Sequence, residues 1–198
     1  MPRELKSILA SILLGLALIT PGLSLAEPSV NTVFKHYKIY PESKQDFQTE
    51  LFNRSSINKE GRTFFGHTNW RVEWRFRWTR KNGKCRINQV TTSLDVTYTM
   101  PQIPEQHEVD TGLRASFESY YQLLLAHEQE HMKSGLYAAR EIEDTLLNLG
   151  SFDHCDRLND EANASGHRLI KKYNRRDIEY DRRTNHGRTE GVDIRNFM

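Results

Sequence analysis

From Trp70 to Trp78 large apolar residues alternate with charged ones. Trp70, Val72, Trp74, Phe76 and Trp78 fall on one side, and Arg71, Glu73, Arg75 and Arg77 on the other. A period of two is that of a half-buried strand. Lys81-Asn82-Gly83-Lys84 follows as a tight turn, because Asn-Gly adopts the backbone conformations a two-residue hairpin needs. Cys85 to Met100, rich in Val, Thr, Ile and Tyr, returns as a second long strand that Pro101 and Pro104 end. Earlier, Val33 to Tyr40 alternates in part and reads as a strand, and Ser43 to Arg54 as a short helix. After Asp110 the period changes. Leu113, Phe117, Tyr120, Leu124, Ala138, Ile142 and Leu146 recur at steps of three and four. This predicts a long helix, capped by Asp110 or Thr111, running to about Leu149 and stopped by Gly150. A second helix is predicted from about Phe152 to Tyr173, followed by a basic tail carrying Lys171, Lys172, Arg175, Arg176, Arg182, Arg183 and Arg188. The expected class is α+β, with a strand-rich first half, a helix-rich second half and no long linker.

The N-terminus stands apart from these elements. Arg3 and Lys6 precede an apolar run from Ile8 to Ile19, Pro21-Gly22 breaks it, and Ser24-Leu25-Ala26 offers a small-x-small cleavage site. Residues 1–26 are therefore expected to be a secretory signal peptide and 27–198 a single mature domain, periplasmic or extracellular. The run is short for a membrane span, no later segment is apolar enough to cross a membrane, and no cysteine follows the cleavage site to carry a lipid. With 28 Lys and Arg against 26 Asp and Glu the formal net charge is only +2. That argues against a dedicated nucleic-acid binder. In an exported chain, the pair Cys85 and Cys155 is expected to form one disulfide tying the strand region to the helical half. The aromatic stripe is read as a core face, and the arginines opposite it as a solvated one.

The chemistry concentrates in His127-Glu128-Gln129-Glu130-His131. Histidines four apart on a helix project from one face and can share one Zn²⁺, with the intervening glutamate placed to take a proton from an activated water. Both histidines continue the apolar stripe, so they face the interior. A catalytic zinc needs a third protein ligand and an open position. A nearby histidine in the pattern HExxHxxGxxH is excluded, since Ser134 and Tyr137 occupy the diagnostic places. Carboxylates from helices are a second route. Glu141 and Glu143 lie too far along the same helix, which leaves Asp160 and Glu161. The C-terminal stretch from Tyr180 to Gly187 is the third. The remaining histidines, His36, His67, His107, His154 and His167, have no partner at ligand spacing and read as surface or hydrogen-bonded residues.

These motifs carry a resemblance. Leu124-x-Ala126-His127-Glu128-Gln129-Glu130-His131, Gly66-His67-Thr68-Asn69-Trp70 and the terminal Tyr180-Asp181-x-x-Thr184-x-His186-Gly187 resemble the DUF922 group of secreted bacterial zinc-dependent proteases, over nearly all of the mature chain. The resemblance implies a zincin-like fold: a small, mostly antiparallel sheet packed on the long helix that bears the HExxH motif, with a second helix beside it. Within the terminal motif His186 is the preferred third ligand, because the following glycine lets the backbone turn tightly toward a metal. Asp181 is expected as a partner of a ligating histidine or as an alternative ligand, alongside Asp160 or Glu161, and Tyr180 as a hydrogen-bond donor to a developing oxyanion.

The expectation is a secreted zinc metallopeptidase with one catalytic Zn²⁺ on His127, His131 and His186, Glu128 as general base, and a peptide or protein substrate held against a sheet edge. Two alternatives stand beside it: an exported envelope protein with a purely structural metal site, and a zinc amidase acting on cell-wall peptides.

Overall fold

The computed structural model describes residues 27–59 and 61–197, so the proposed signal peptide lies outside the described residues. In chain order the elements are β1 (Ser29–Lys38), α1 (Lys44–Arg54), β2 (Ile57–Lys59), β3 (Arg62–Phe64), β4 (His67–Lys81), β5 (Lys84–Gln102), α2 (Thr111–Leu147), β6 (Ser151–Phe152) and α3 (Cys155–Thr184). Two short 3₁₀ turns follow, Arg188–Glu190 and Ile194–Asn196. The class is α+β, as the sequence patterns predict.

β4 and β5 form the predicted hairpin, with Asn82 at φ 52° and Gly83 at φ 78° in its turn. β5 is central. It pairs antiparallel with β4, parallel with β1 along its C-terminal half, and antiparallel with the two-residue β6 at its start. The sheet is thus mixed: two of its ladders are antiparallel, and the β1 ladder is parallel. β2 and β3 form a separate small hairpin leading into β4.

Alternation along β5 breaks once. Opposite Arg77 and Trp78 the register slips, so Asn88 has no partner on β4. Such a bulge changes which parity faces inward. Val90 to Met100 bury their even positions, whereas Ile87 and Cys85 are buried on the other side of the bulge. That change turns Cys85 toward α3, where it forms the expected disulfide with Cys155, Cα to Cα 5.4 Å. Pro101 does not end β5 as expected, because β4 begins at His67 opposite Thr99 and no β4 partner remains at Pro101. A proline without an N–H is tolerated where the neighbouring strand has stopped.

The inward face of the sheet packs on α2. Asp110 caps that helix, its side chain accepting from the Leu113 amide. The buried stripe runs Leu113, Phe117, Tyr120, Leu124, His127, His131, Ala138, Ile142 and Leu146, with Glu128, Ser134, Gly135 and Glu143 beside it. At Gly135 the helix lies so close to the sheet that a Cβ would fall 2.7 Å from Leu94 and 3.0 Å from Trp70. The stripe of β4 packs on the core through Trp70, Val72, Trp74 and Phe76, as expected of a core face, but Trp78, at the register slip, is 39 % exposed and does not belong to it. The indole of Trp70 donates to Asp177 and that of Trp74 to Asn163, both on α3. Arg71, Glu73, Arg75 and Arg77 are exposed.

The second helix differs from its predicted bounds. It begins at Cys155 and continues past Tyr173 to Thr184, taking in most of the predicted basic tail. Lysine and arginine are good helix formers. Here they occupy the outer face, with Lys172 paired to Glu141 and Arg182 to Glu179. The inner face continues through Tyr173, Asp177, Tyr180, Asp181 and Thr184 at helical spacing. Those residues are polar, so no apolar stripe marks the helix. Among the described residues no helix is long and apolar enough to cross a membrane.

Candidate metal centre

His127, Glu128 and His131 sit at the middle of α2, all at most 8 % exposed. The C-terminal end of α3 crosses above them and brings Asp181 down between the two imidazoles. Its Oδ1 is 3.2 Å from His127 Nε2 and 3.1 Å from His131 Nε2. One ligand atom from each of His127, His131 and Asp181 lies within 4.8 Å of the others. Two imidazole nitrogens and a carboxylate oxygen are a donor set that suits zinc and other first-row divalent ions.

The other nitrogen of each imidazole faces a carboxylate. His127 Nδ1 is 2.9 Å from Glu190 Oε2 and 3.1 Å from the Tyr180 hydroxyl, which itself donates to both oxygens of Glu190. His131 Nδ1 is 3.5 Å from Asp177 Oδ1. Asp177 Oδ2 accepts from Trp70 at 2.6 Å, whereas Oδ1 is buried with no closer partner than that imidazole. A carboxylate behind the Nδ1–H of a ligating histidine fixes the tautomer that leaves Nε2 free for a metal. The residues therefore fit a metal on three counts: donor type, convergence of the Nε2 atoms, and carboxylates behind both rings.

Without a metal, protons balance the charge. Burial disfavours a charged His131, but the Asp177 and Asp181 carboxylates outweigh it and raise its pKa to about 10. His127 is raised in the same manner, burial being overcome by Asp181 and Glu190. Burial likewise opposes ionisation of Asp181, yet the two histidines hold its carboxyl well below the usual range.

Glu128 points toward the sheet. Its Oε2 lies 2.7 Å from the hydroxyl of Thr68, which is also 2.9 Å from the Glu128 backbone carbonyl. Burial pushes its pKa up, and the Thr68 hydrogen bond and the histidines only partly offset that. Thr68 precedes Trp70 by two residues, so it continues the inward stripe of β4, and strand alternation alone points it at α2. Gly66, one step further back, leaves no space: a Cβ there would meet Glu128 Oε1 at 2.8 Å.

These groups line a cleft of about 760 Å³ between the β2–β3 hairpin and start of β4 on one side and the end of α3 on the other. Glu128, His131 and Asp181 line it, and so does His67, whose Nδ1 is 3.2 Å from Lys59 Nζ. Burial and the neighbouring Lys59 lower the His67 pKa to about 4.

Asp181, expected beside the site or as an alternative ligand, is the third member of the donor cluster. His186 lies just past the helix end with its Nδ1 3.5 Å from Asp181 Oδ1 and its ring against Phe64. Its backbone is left-handed at φ 53°, between Asn185 at 50° and Gly187 at 80°. Thr184 braces this turn, donating to the Tyr180 carbonyl and accepting from the Gly187 amide. The Tyr180 hydroxyl, expected to face an oxyanion, lies behind His127 against Glu190 and does not line the cleft. Asp160 and Glu161 are nearly six turns earlier on α3 than Asp181, roughly 30 Å along its axis, and Glu161 pairs with Arg168. Glu141 is held by Lys172 and Tyr173, and Glu143 by Thr92. Of the other histidines, His107 lies 2.9 Å from the Pro41 carbonyl and His167 packs on Trp74. Glu190, Asp177 and Thr68 escape motif reading. Thr68 and Asp177 carry a periodicity signal, and Glu190 has none.

Neither a curated protein nor a solved structure matches this chain. A family model matches residues 34–187, a span that takes in α2, the Thr68 strand and the whole terminal turn; the chain belongs to the family described as bacterial proteins of unknown function, DUF922.

Proposed function

We propose that this protein is an exported zinc-dependent hydrolase of peptide bonds, with a zincin-like arrangement of its sheet and α2. The observation that carries the reading is the convergence of His127 Nε2, His131 Nε2 and Asp181 Oδ1 next to a buried glutamate on the same helix. A closed structural site has no need of such a glutamate. Glu128 is held by one hydroxyl inside an open cleft, where a proton acceptor is useful and a packing residue is not.

His127, His131 and Asp181 would hold the metal, and zinc there supplies Lewis acidity that activates water and polarises a carbonyl. Glu128 Oε takes the proton of the attacking water and later gives it to the leaving amine. Its raised pKa suits both duties. The Asp177 carboxylate stands 3.5 Å behind the His131 imidazole. His67, kept neutral and with Lys59 at its Nδ1, presents a donor at the cleft wall for the substrate carbonyl. An extended substrate would lie along β4, whose second edge pairs with no strand among the described residues. The disulfide fits an oxidising compartment, periplasmic or extracellular.

Glu128→Gln tests this reading. The variant should bind one zinc as tightly as the parent and lose at least about 100-fold in turnover of a cleaved peptide. Full activity in that variant, or a parent protein that takes up no zinc, ends the proposal.

A further inference from the structure

The family match stops at residue 187, yet the chain beyond it folds back onto the metal centre. The Gly187 carbonyl accepts from both the Glu190 and Val192 amides, at 2.9 and 3.0 Å. Val192 and Ile194 are buried, and the ring of Phe197 packs 5.7 Å from that of Tyr120 on α2. Gly187 itself is pressed between Val192 and His127: a Cβ there would come 2.9 Å from the valine and 3.1 Å from the imidazole. Three apolar anchors thus fix a short segment whose Glu190 carboxylate reaches His127 Nδ1 at 2.9 Å.

We infer that Glu190 is a positioning residue for His127, and that residues 188–197 form part of the metal centre although they lie outside the family match. The hydrogen-bond inventory supports one assignment. The Tyr180 hydroxyl donates to Glu190, and Glu190 Oε2 accepts from His127 Nδ1–H, which leaves Nε2, the nitrogen facing Asp181, as the one that would exchange its proton for a metal. Asp177 Oδ1 faces His131 Nδ1 from α3 at the longer distance of 3.5 Å, with no hydrogen bond formed. The two imidazoles are therefore faced by carboxylates from two parts of the chain, one on α3 within the family match and one on the segment beyond it. Glu190 touches no reacting atom; it acts through His127.

This inference rests on the metal-centre reading, and its test separates the two. Zinc affinity is measured on the full chain by competition with a chromophoric chelator, for the parent, Glu190→Gln and Glu190→Ala. The cobalt(II) form of each gives a visible spectrum that reports ligand geometry. Glu190→Ala should bind zinc about 10- to 100-fold more weakly, Glu190→Gln should fall between it and the parent, and the cobalt bands should shift in both. The melting temperature of the metal-free alanine variant should change too little to explain the loss. Affinity within twofold of the parent and an unshifted spectrum overturn the role of Glu190 and leave the metal centre standing. A loss matched entirely by unfolding of the metal-free variant also overturns it. A parent that binds no zinc removes both readings.

Discussion

The hydroxyl of Thr68 on β4 lies 2.7 Å from the carboxylate of Glu128 on α2, and it is the contact through which the sheet sets the chemistry of the helix. Burial raises the pKa of Glu128, and this hydrogen bond is the largest influence lowering it again. Thr68→Val keeps the shape and removes the donor, so the pKa must rise further. A general base works in its ionised form, so the acidic limb of kcat/KM against pH should move to higher pH. Hydrogen bonds to charged groups contribute roughly 1.5–3 kcal/mol, which corresponds to a move of about one to two pH units. A limb that stays in place would show that Glu128 is not the titrating base.

Asp181 and His186 make competing claims on the third ligand position. Asp181 has its Oδ1 between the two Nε2 atoms, while His186 reaches only Asp181, at 3.5 Å. Asp181→Asn should therefore weaken zinc binding by more than the roughly 10- to 100-fold expected for a supporting residue. His186→Ala should stay within that supporting range. Equilibrium dialysis of the two variants decides the matter, and a larger loss in His186→Ala would assign the position to the histidine.

What the sequence conveys about this centre depends on how each residue is carried. His127 and His131 are legible because they interrupt an apolar stripe at helical spacing. Trp70 to Trp78 is legible because alternation survives over nine positions. The bulge at Asn88 is not, since it alters parity without altering composition. The end of α3 is misread for a physical reason: its inner face holds Tyr173, Asp177, Tyr180 and Asp181 against a polar site, so the hydrophobic period disappears where the function begins. The basic residues that suggest a tail are the outer face of that same helix. Glu190 is fixed by a turn and three apolar anchors, none of which leaves a motif.

The charge balance predicts how metal and protons compete. In the metal-free protein His131 is raised from the ordinary imidazole value of 6.5 to about 10, burial being outweighed by Asp177 and Asp181. A group with a raised folded pKa contributes stability that is complete below 6.5 and is lost as pH rises through 10. Metal-free protein should therefore lose stability to denaturant between pH 6.5 and 10, and zinc-loaded protein should not. For the same reason zinc must displace the proton from His131. Calorimetry near pH 7 in buffers of different ionisation enthalpy should show about one to two protons released per metal ion. Zinc affinity that does not change with pH would contradict the charge arrangement.

Gly66 should admit a side chain only by displacing Glu128 and Leu124. A Cβ at this position would stand 2.8 Å from Glu128 Oε1 and 2.8 Å from Leu124 Cδ1, so both side-chain ends must shift to admit it. Gly66→Ala should cost about 1–3 kcal/mol of stability, as overpacking does, and displace the carboxylate from Thr68. Activity should fall much further than the stability loss explains, while zinc binding, which depends on His127, His131 and Asp181, changes little. Parent-like activity in this variant would mean that Glu128 has room to move and is not held where the reaction needs it.

The disulfide offers a test of the fold apart from its chemistry. Cys85 and Cys155 are separated by 70 residues, a loop that contains β5 and all of α2. Closing a loop of that length restricts the unfolded chain by roughly 4 kcal/mol. The bond also joins the start of β5 to the first turn of α3, far from the metal cluster at the other end of that helix. Reduction, or Cys85→Ser with Cys155→Ser, should therefore lower the melting temperature by ten degrees or so and leave zinc affinity at low temperature almost unchanged. If zinc affinity fell in step with stability, the sheet–helix junction at Cys155 and the metal centre at Asp181 would have to be mechanically coupled along α3, and the independence of fold and site would be lost.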